Sequence, residues 1–160
     1  LGGRVLVKPI FGAEGKGIIH VCTEAHAWRV FQSLKPLGIV LLLQEFIPND
    51  GSDVRVFVLG ERVVASMRRR AAPGEYRANI NTGGKAERME VTDEMKGLAL
   101  RAARSLGAFM AGVDLLFDQH GQCFVIEVNS SPGFKALSDV TGIDLASEVI
   151  RYAVEEFRSP

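Results

Sequence analysis

The 160-residue chain has few cysteines, no excess charge and no long apolar run, and each absence argues against a class of protein. Cys22 and Cys123 are its only cysteines, too few for a disulfide framework or a zinc site, which favours a reducing, cytoplasmic setting. The 19 basic and 19 acidic residues give a formal net charge of zero, which argues against a nucleic-acid binder held by bulk charge. The apolar stretch from Gly38 to Leu43 is far too short to span a bilayer, and no signal peptide is visible.

The chain is long enough and apolar enough to form a packed core. Hydrophobic residues make up 47% and charged residues 24%, which is typical of a soluble globular protein with one domain or two small lobes. The loop from Pro48 to Ser52 is the best candidate boundary, so we expect one lobe over 1–47 and another over 48–160. Hairpin patterns mixed with helical spacing predict an α+β architecture. Because the chain opens at Leu1 and enters a strand almost at once, we expect a segment upstream of it.

The run from Phe124 to Asn129 reads as a buried strand that places an acid and an amide on one face. Glu127 and Asn129 are two residues apart, and side chains alternate along a strand. Such polar groups on an otherwise apolar strand are costly to bury unless a hydrogen-bond network or a hard cation satisfies them. For this pair alone, both interpretations stay open.

An acid upstream strengthens the cation interpretation. Residues 112–117 read as another strand, apolar apart from Asp114, and 118–121 read as a four-residue hairpin turn. With that turn, Asp114 lies opposite Val125 and on the same side as Glu127, whereas an odd-numbered loop would turn it away. Two carboxylates held close repel each other, and a bound Mg²⁺ that shares phosphate oxygens would remove the repulsion. The sequence therefore predicts a divalent-cation site on this patch of sheet.

A lysine and three glycines near the start suit a nucleotide phosphate. Lys8 ends the first strand, and strand ends commonly present ligand contacts. Gly12, Gly15 and Gly17 would let backbone N–H groups approach an anion closely. The same glycines could simply form a hairpin turn, and their spacing matches neither the Walker loop nor the dinucleotide fingerprint.

Further polar residues stand at strand ends and along a hairpin, and each also has a structural explanation. Glu45 closes the apolar third strand and could mark a sheet edge or hold an adenine through backbone groups, while Asp53 lies just across the following loop, within reach of ribose hydroxyls. Arginine forks suit phosphate and carboxylate oxygens, but a solvated hairpin or a nucleic-acid contact would use the same residues. Few interleaved aromatics disfavour nucleic acid. The basic cluster comprises Arg55, Arg68, Arg69, Arg70 and Arg77, with Arg69 on the opposite face of its strand from Arg68 and Arg70.

Taken in order, these segments resemble the ATP-grasp ligases, and specifically the RimK-like α-L-glutamate ligases. The resemblance covers nearly all of the chain, and the joint order of the motifs is far more specific than any one of them. The stretches that carry it are Val7-Lys8-Pro9, Gln44-Glu45-Phe46-Ile47, Asp53-Val54-Arg55, Arg68-Arg69-Arg70-Ala71, Arg77-Ala78-Asn79, Gly83-Gly84, Ala111-Gly112-Val113-Asp114, Glu127-Val128-Asn129-Ser130-Ser131-Pro132-Gly133 and Thr141-Gly142-Ile143-Asp144.

The resemblance implies an ATP-grasp fold, with two α+β lobes and antiparallel sheets, and three groups of site residues. Within the ATP group, Glu45 and Phe46 would hold the adenine, Asp53 would hold the ribose, and the glycine loop would cover the triphosphate. Arg77 and Asn79 would lie near the phosphates and the reacting acyl group. The ligands of one or two Mg²⁺ or Mn²⁺ ions would be Asp114, Glu127 and Asn129. The implied ATP contacts are Lys8, Gly12, Gly15, Gly17, Glu45, Phe46, Asp53 and Arg55.

The resemblance also implies a reaction, in which an ATP-dependent carboxylate–amine ligase forms an amide through an acyl phosphate. L-Glutamate would be added to an acceptor carboxylate on a small molecule or a protein tail. Such a mechanism needs no covalent enzyme nucleophile, which agrees with the lack of any credible triad in the sequence. No nucleic-acid or membrane partner is expected, and a homo-oligomer is left open.

Three alternatives stay open. Relatives that act on an amino-group carrier protein in lysine or arginine biosynthesis tend to show Pro-Glu-Phe where this chain has Pro132-Gly133-Phe134, so Gly133 favours the glutamate-adding branch and Phe134 keeps the other open. An ATP-grasp kinase for small molecules and a non-catalytic nucleotide-binding fragment are the others. The family also carries an N-terminal domain and a further ATP-contacting lysine that this sequence does not contain, so we expect weak ATP binding and poor turnover from this chain alone.

Overall fold

The computed structural model describes residues 3–11, 17–75, 78, 80 and 83–156. The chain divides into two compact units, Leu1–Pro48 and Asn49–Pro160, and each has its own sheet. The assignment of these units to the two lobes of an ATP-grasp domain stays a prediction.

The unit Leu1–Pro48 contains a three-stranded antiparallel sheet and one long helix. Its middle strand, β1, pairs with β2 on one side and with β3 on the other. The helix α1 begins after Thr23, whose hydroxyl accepts a hydrogen bond from the amide of His26 at 3.2 Å and so satisfies a free N–H of the first turn. The elements are β1 (Val5–Pro9), β2 (Ile19–Val21), α1 (Glu24–Leu34) and β3 (Leu41–Glu45), with a 3₁₀ turn at Lys35–Leu37.

The unit Asn49–Pro160 is built on a five-stranded antiparallel sheet in the order β6-β5-β4-β7-β8. The strand β4 lies at its centre and is buried along almost its whole length, whereas β8 is an edge strand and is largely half-buried or exposed. The strands are β4 (Ser52–Leu59), β5 (Arg62–Arg70), β6 (Lys85–Arg88), β7 (Met110–Phe117) and β8 (Cys123–Asn129).

Helices cover both faces of this sheet and create two cores. The even-numbered valines of β4 pack with helix α2, and Phe57 and Leu59 pack on the other face with α3 and α4. Thr92 caps α2 by accepting from the amide of Met95 at 3.3 Å. No helix in the described ranges has the length and apolar content needed to cross a membrane. The helices are α2 (Asp93–Ser105), α3 (Lys135–Thr141) and α4 (Leu145–Glu156).

Strand alternation divides the second face of β4 into an apolar part and a charged part. Asp53 and Arg55 lie on the same face as Phe57 and Leu59, because residues two apart on a strand share a side. Phe57 and Leu59 belong to the core formed with α3 and α4, so the charged residues stand at the end of the strand beyond that core. The fold thus places charge on a mostly buried sheet face.

The turn between β4 and β5 carries a glycine that the packing requires. Gly60 has a φ of 59°, and a Cβ at this position would lie between 2.6 and 2.9 Å from ring atoms of Tyr152 on α4. Both the left-handed backbone and the aromatic ring therefore exclude a side chain here. Gly107, after α2, has nearly the same φ of 62° but open space where a Cβ would be.

These two glycines form a matched pair for a stability measurement. We expect Gly107→Ala to lower the free energy of unfolding by about 1–2 kcal/mol through backbone strain alone. Gly60→Ala should cost about 1–3 kcal/mol more, because Tyr152 must also move. Chemical denaturation of both variants measures the difference, and equal losses would show that the ring is not a constraint.

Candidate active site

The β7–β8 hairpin brings Asp114 and Glu127 opposite each other, although not by the predicted route. Phe117 pairs with Cys123, so the loop holds five residues rather than four, and such a loop alone would turn Asp114 away. A β-bulge beside Asp114 shifts the register by one residue, and Asp114 therefore pairs with Glu127 instead of Val125. The predicted register was wrong, whereas the two acids do share a face.

The same face continues to Asn129, which pairs with Gly112. The side-chain oxygen Oδ1 of Asn129 accepts a hydrogen bond from the amide of Ser131 at 2.8 Å. Glu127 is exposed and Asn129 is half-buried, so the expectation of a buried strand was wrong, because β8 lies at the sheet edge. Two carboxylates and one amide nevertheless lie on one patch of β7 and β8.

Four charged side chains on this face form an ion-pair cluster: Asp53, Arg55, Arg69 and Asp114. Arg55 lies opposite Asp114, donating from Nη2 to Oδ2 at 2.7 Å and from Nε to Oδ1. Arg69 lies opposite Asp53, donating from Nε to Oδ1 at 2.6 Å and from Nη2 to Oδ2 at 2.7 Å. The Nη2 atom of Arg69 is also 2.9 Å from Oδ2 of Asp114. The two pairs are thus joined into one network across β5, β4 and β7.

The ion-pair cluster is buried and formally neutral. Its side chains are between 6% and 14% exposed, so each charge depends on its partner rather than on water. Burial raises the pKa of Asp53 to about 6, against the hydrogen bonds and positive charge of Arg69. Burial alone would lower the pKa of Arg69, but the carboxylates of Asp114 and Asp53 outweigh it and raise that pKa.

A glycine makes room for one of these arginines. A Cβ at Gly112 would lie 3.2 Å from Cδ and Nη1 of Arg55 and 2.8 Å from Cβ of Pro132. These distances are shorter than normal contacts, so a side chain at Gly112 would displace Arg55 or the segment after β8. Gly112 therefore lets the guanidinium of Arg55 lie across β7.

Arg69 belongs to the cluster, although the sequence analysis assigned it no role in the site. Alternation had already separated it from Arg68 and Arg70, and its register with Asp53 places it in the cluster. Arg68 serves the opposite face of the sheet, where its Nη2 donates to Oδ2 of Asp50 at 2.7 Å. The four described arginines of the predicted basic cluster are therefore split between two faces. Alternation along β5 was the signal that could have identified Arg69, because it puts Arg69 on the same sheet face as Asp53 of the central strand and puts Arg68 and Arg70 on the other.

The oxygen donors on this face are chemically suited to a hard cation, but those of Asp114 are already paired with arginines. Asp114, Glu127 and Asn129 offer the oxygen ligands that Mg²⁺ prefers, on one face. Both oxygens of Asp114, however, already accept from guanidinium groups. In the part of the chain that the structure describes, no group of three or more His, Cys, Asp or Glu side chains is placed to hold a metal ion. Direct coordination by Asp114 would require at least one arginine contact to open.

In the unit Leu1–Pro48, the register separates two of the predicted ATP contacts. Lys8 shares a sheet face with Gln44, whereas Glu45 lies on the other face. Phe46 follows β3; its amide donates to the carbonyl of Arg4 at 3.0 Å, and its ring stacks on His20 at a centroid distance of 4.0 Å. The side chains of Lys8 and Glu45 therefore do not converge on one face of this sheet.

Of the remaining predicted site residues, only Gly17 lies within the described ranges. Gly17 has a φ of 77°, and a Cβ there would lie 3.0 Å from Cγ of Pro9, so glycine is required at the entry to β2. Four predicted residues lie outside the described ranges: Gly12, Gly15, Arg77 and Asn79.

The raised pKa of Asp53 makes its contribution to the free energy of unfolding larger at low pH than at high pH. Its folded pKa of about 6 exceeds the ordinary 3.8, so the folded chain binds this proton more tightly than the unfolded chain. The stabilisation is complete below the ordinary pKa and is lost as the pH rises through 6. Between about pH 7.5 and 5, we expect the free energy of unfolding to rise by about 1 kcal/mol more in the wild type than in Asp53→Asn.

Urea denaturation at both pH values measures this difference, because other titrating groups are common to both proteins. An NMR titration of the Asp53 carboxyl carbon gives an independent value if the variant is too unstable. Identical pH dependence in the two proteins, or a titration midpoint below 4, would contradict the expectation.

Comparisons with known proteins agree on the family. A profile of the RimK-like ATP-grasp domain matches residues 1–153. The chain is 41% identical over 152 residues to a protein from Picosynechococcus sp. named "Probable alpha-L-glutamate ligase", covering 94% of this chain and 50% of that protein. A protein of the same name from Alkalilimnicola ehrlichii is 42% identical over 158 residues, covering 98% and 52%. The chain thus spans about half the length of these curated relatives.

Solved structures agree on the fold. The ATP-grasp ligase PsnB, complexed with a phosphomimetic variant of its minimal precursor, Mg and ADP, superposes with a TM-score of 0.70 at 23% identity, over 98% of this chain and 48% of that one. D-alanine–D-alanine ligase from Bacillus anthracis, complexed with ATP, gives 0.73 at 19% identity, over 97% and 54%. The predicted α+β ATP-grasp fold is confirmed. With the profile match across nearly its whole length, the chain belongs to the RimK-like ATP-grasp family.

Proposed function

We propose that this chain is the nucleotide- and metal-binding part of an ATP-dependent carboxylate–amine ligase that adds L-glutamate to an acceptor carboxylate. The observation that carries the proposal is the pairing of Asp114 with Glu127, and of Gly112 with Asn129, on one face of the sheet in a member of this family. The two relatives described above bear the name "Probable alpha-L-glutamate ligase", which supports glutamate as the amino acid added.

The proposed reaction explains why cationic and anionic groups occur together. A carboxylate is a poor acyl donor because its leaving group would be oxide. Transfer of the γ-phosphoryl group of ATP to the carboxylate releases ADP and gives an acyl phosphate, and the amine of glutamate then displaces phosphate to form the amide. Mg²⁺ or Mn²⁺, when bound, would neutralise phosphate charge and polarise the transferred group.

The chain's own residues would hold and orient the reactants. Asp114, Glu127 and Asn129 are the proposed ligands of one or two metal ions, because they supply oxygen donors from neighbouring strands. Arg55 would place its guanidinium against phosphate oxygens, for which its planar fork is suited. Arg77 and Asn79 keep their proposed place near the reacting acyl group.

The proposed nucleotide contacts of the unit Leu1–Pro48 follow from its strand ends and glycine turn. Lys8 is assigned to a phosphate or to adenine, and Gly17 belongs to the loop proposed to cover the triphosphate, with Gly12 and Gly15. Glu45 and Phe46 are assigned to adenine, largely through their backbone. Asp53, the proposed ribose contact, has both carboxylate oxygens accepting from Arg69, so that role requires this ion pair to loosen.

Mass spectrometry tests the proposed reaction directly. The protein, and any longer protein that contains this chain, is incubated with ATP, Mg²⁺, glutamate and candidate acceptors that carry a free carboxylate. We expect an acceptor heavier by one glutamyl residue, with one ADP formed per amide. ADP release that needs no amine would indicate a kinase instead, and transfer only to an amino-group carrier protein would favour the other ligase branch. Lack of Mg²⁺-dependent ATP binding would contradict all the enzyme proposals.

A conservative change at the proposed metal site separates function from structure. Glu127→Gln keeps the size of the side chain but removes the charge, so we expect turnover to fall at least about 100-fold while the free energy of unfolding changes by less than about 0.5 kcal/mol. Glu127 is exposed, which supports a small effect on folding. Glu87→Gln, at an exposed acid on β6, the strand at the other edge of the sheet, is the matched control and should keep full activity. Loss of stability rather than of turnover would indicate a structural role for Glu127.

A further inference from the structure

The carboxylate proposed as a metal ligand is also the most heavily paired acid in the ion-pair cluster. Asp114 accepts from Nε and Nη2 of Arg55, and its Oδ2 lies 2.9 Å from Nη2 of Arg69. Glu127, directly opposite, has no ion pair with any residue that the structure describes. Of the two proposed ligands of one cation, Asp114 is therefore already neutralised by arginines, whereas Glu127 is not.

Charge balance argues against adding a cation to this arrangement. Asp53 and Asp114 carry two negative charges, and Arg55 and Arg69 carry two positive charges, so the cluster is neutral as it stands. A divalent ion on Asp114 would lie within a few ångströms of both guanidinium groups, where repulsion is strong in a poorly solvated site. Glu127 adds one negative charge opposite Asp114, which is less than a divalent ion needs, so a cation binds more readily if an arginine moves away or if further negative charge arrives with it.

Arg55 is better placed to move than Arg69. Arg69 is held by both Asp53 and Asp114, whereas the ion pairs described for Arg55 involve Asp114 alone. The guanidinium of Arg55 also lies beside Gly112, which presents no side chain to confine it. Opening the contact between Arg55 and Asp114 leaves Arg69 in place, so the carboxylate would keep one positive partner.

We propose that Arg55 is a positioning residue that stands in for the metal ion. Without nucleotide, its guanidinium neutralises Asp114; when nucleotide and cation bind together, it leaves Asp114 to the cation and pairs with phosphate oxygens. Phosphates attract the guanidinium as the carboxylate does, so the exchange replaces one ion pair with two. This inference rests on the proposed function and adds a thermodynamic requirement to it: cation and nucleotide bind as a coupled pair.

Binding of Mn²⁺, followed by electron paramagnetic resonance, tests the exchange without measuring activity. The titrations use the whole chain, alone and with a non-hydrolysable ATP analogue. For the wild type we expect weak binding of free Mn²⁺ and at least about tenfold tighter binding with the analogue present. Binding of Mn²⁺ that is equally tight with and without the analogue would overturn the proposal.

Three variants separate charge from shape. Arg55→Gln leaves the cluster with a net negative charge, so it should bind free Mn²⁺ at least about tenfold more tightly than the wild type and bind the analogue more weakly. Arg55→Lys keeps the charge and should resemble the wild type toward free Mn²⁺. Arg68→Gln, on the other face of the neighbouring strand, is the matched control and should change neither affinity.

The outcomes distinguish this inference from the proposed function. If Arg55→Gln binds free Mn²⁺ no better than the wild type, the exchange is wrong while the ligase proposal stands. If the wild type binds no Mn²⁺–analogue complex at all, the proposed function fails and the exchange fails with it. Melting curves report whether Arg55→Gln folds. If it does not, the wild-type titrations and Arg55→Lys decide, because tight binding of free Mn²⁺ by Arg55→Lys, which keeps the positive charge, would also overturn the proposal.

Discussion

Burying two carboxylates and two guanidinium groups on one sheet requires the strands to keep a single register. Asp53 and Arg55 alternate with valines that pack against α2, so a slip of β4 by one residue would turn both charges into that core. An unpaired buried charge costs several kcal/mol, whereas the observed register pairs every member of the cluster. The cluster thus fixes β5, β4 and β7 together, and through Asp114 it sets where Glu127 must lie on the edge strand.

Strand alternation predicted that Asp114, Glu127 and Asn129 share a face, and they do, although the assumed turn was wrong. The five-residue loop and the bulge each shift the pairing by one residue in the same direction, and the total shift of two residues returns Asp114 to the predicted face. Neither shift has a strong local signal in this sequence, because a bulge reflects how an edge strand fits its neighbour. The order of motifs identified the family correctly because it samples the whole chain, which makes it insensitive to such local errors.

What sequence reasoning missed depends on partners that are distant in the chain. Arg69 reads as one of three consecutive arginines, and only the register between β4 and β5 shows that it alone meets the buried acids. The strand β6 has four residues and the helix α3 has seven, which is too short for a clear hydrophobic period, so these elements were not predicted. Lys8 and Glu45 were placed at strand ends correctly. That their side chains lie on opposite faces follows from the register of β1 with β3, which the pattern of either strand alone does not specify.

Neutrality would explain how one patch of sheet could be both buried and, as proposed above, able to bind highly charged ligands. Without ligand, two arginines and two aspartates satisfy one another, and the face stays ordered at little exposure to water. A nucleotide is negatively charged and a divalent ion is positively charged. In the proposed exchange, the pair of Arg55 with Asp114 would be replaced by a pair of Arg55 with phosphate and a pair of Asp114 with the cation, so opposite charges would still meet at this patch. A site that held Asp114 unpaired would attract free cations before any nucleotide, and a site that held Arg69 less firmly would lose the register that places Glu127. In the proposed exchange, Arg69 would stay in place while Arg55 moves, which would meet both requirements.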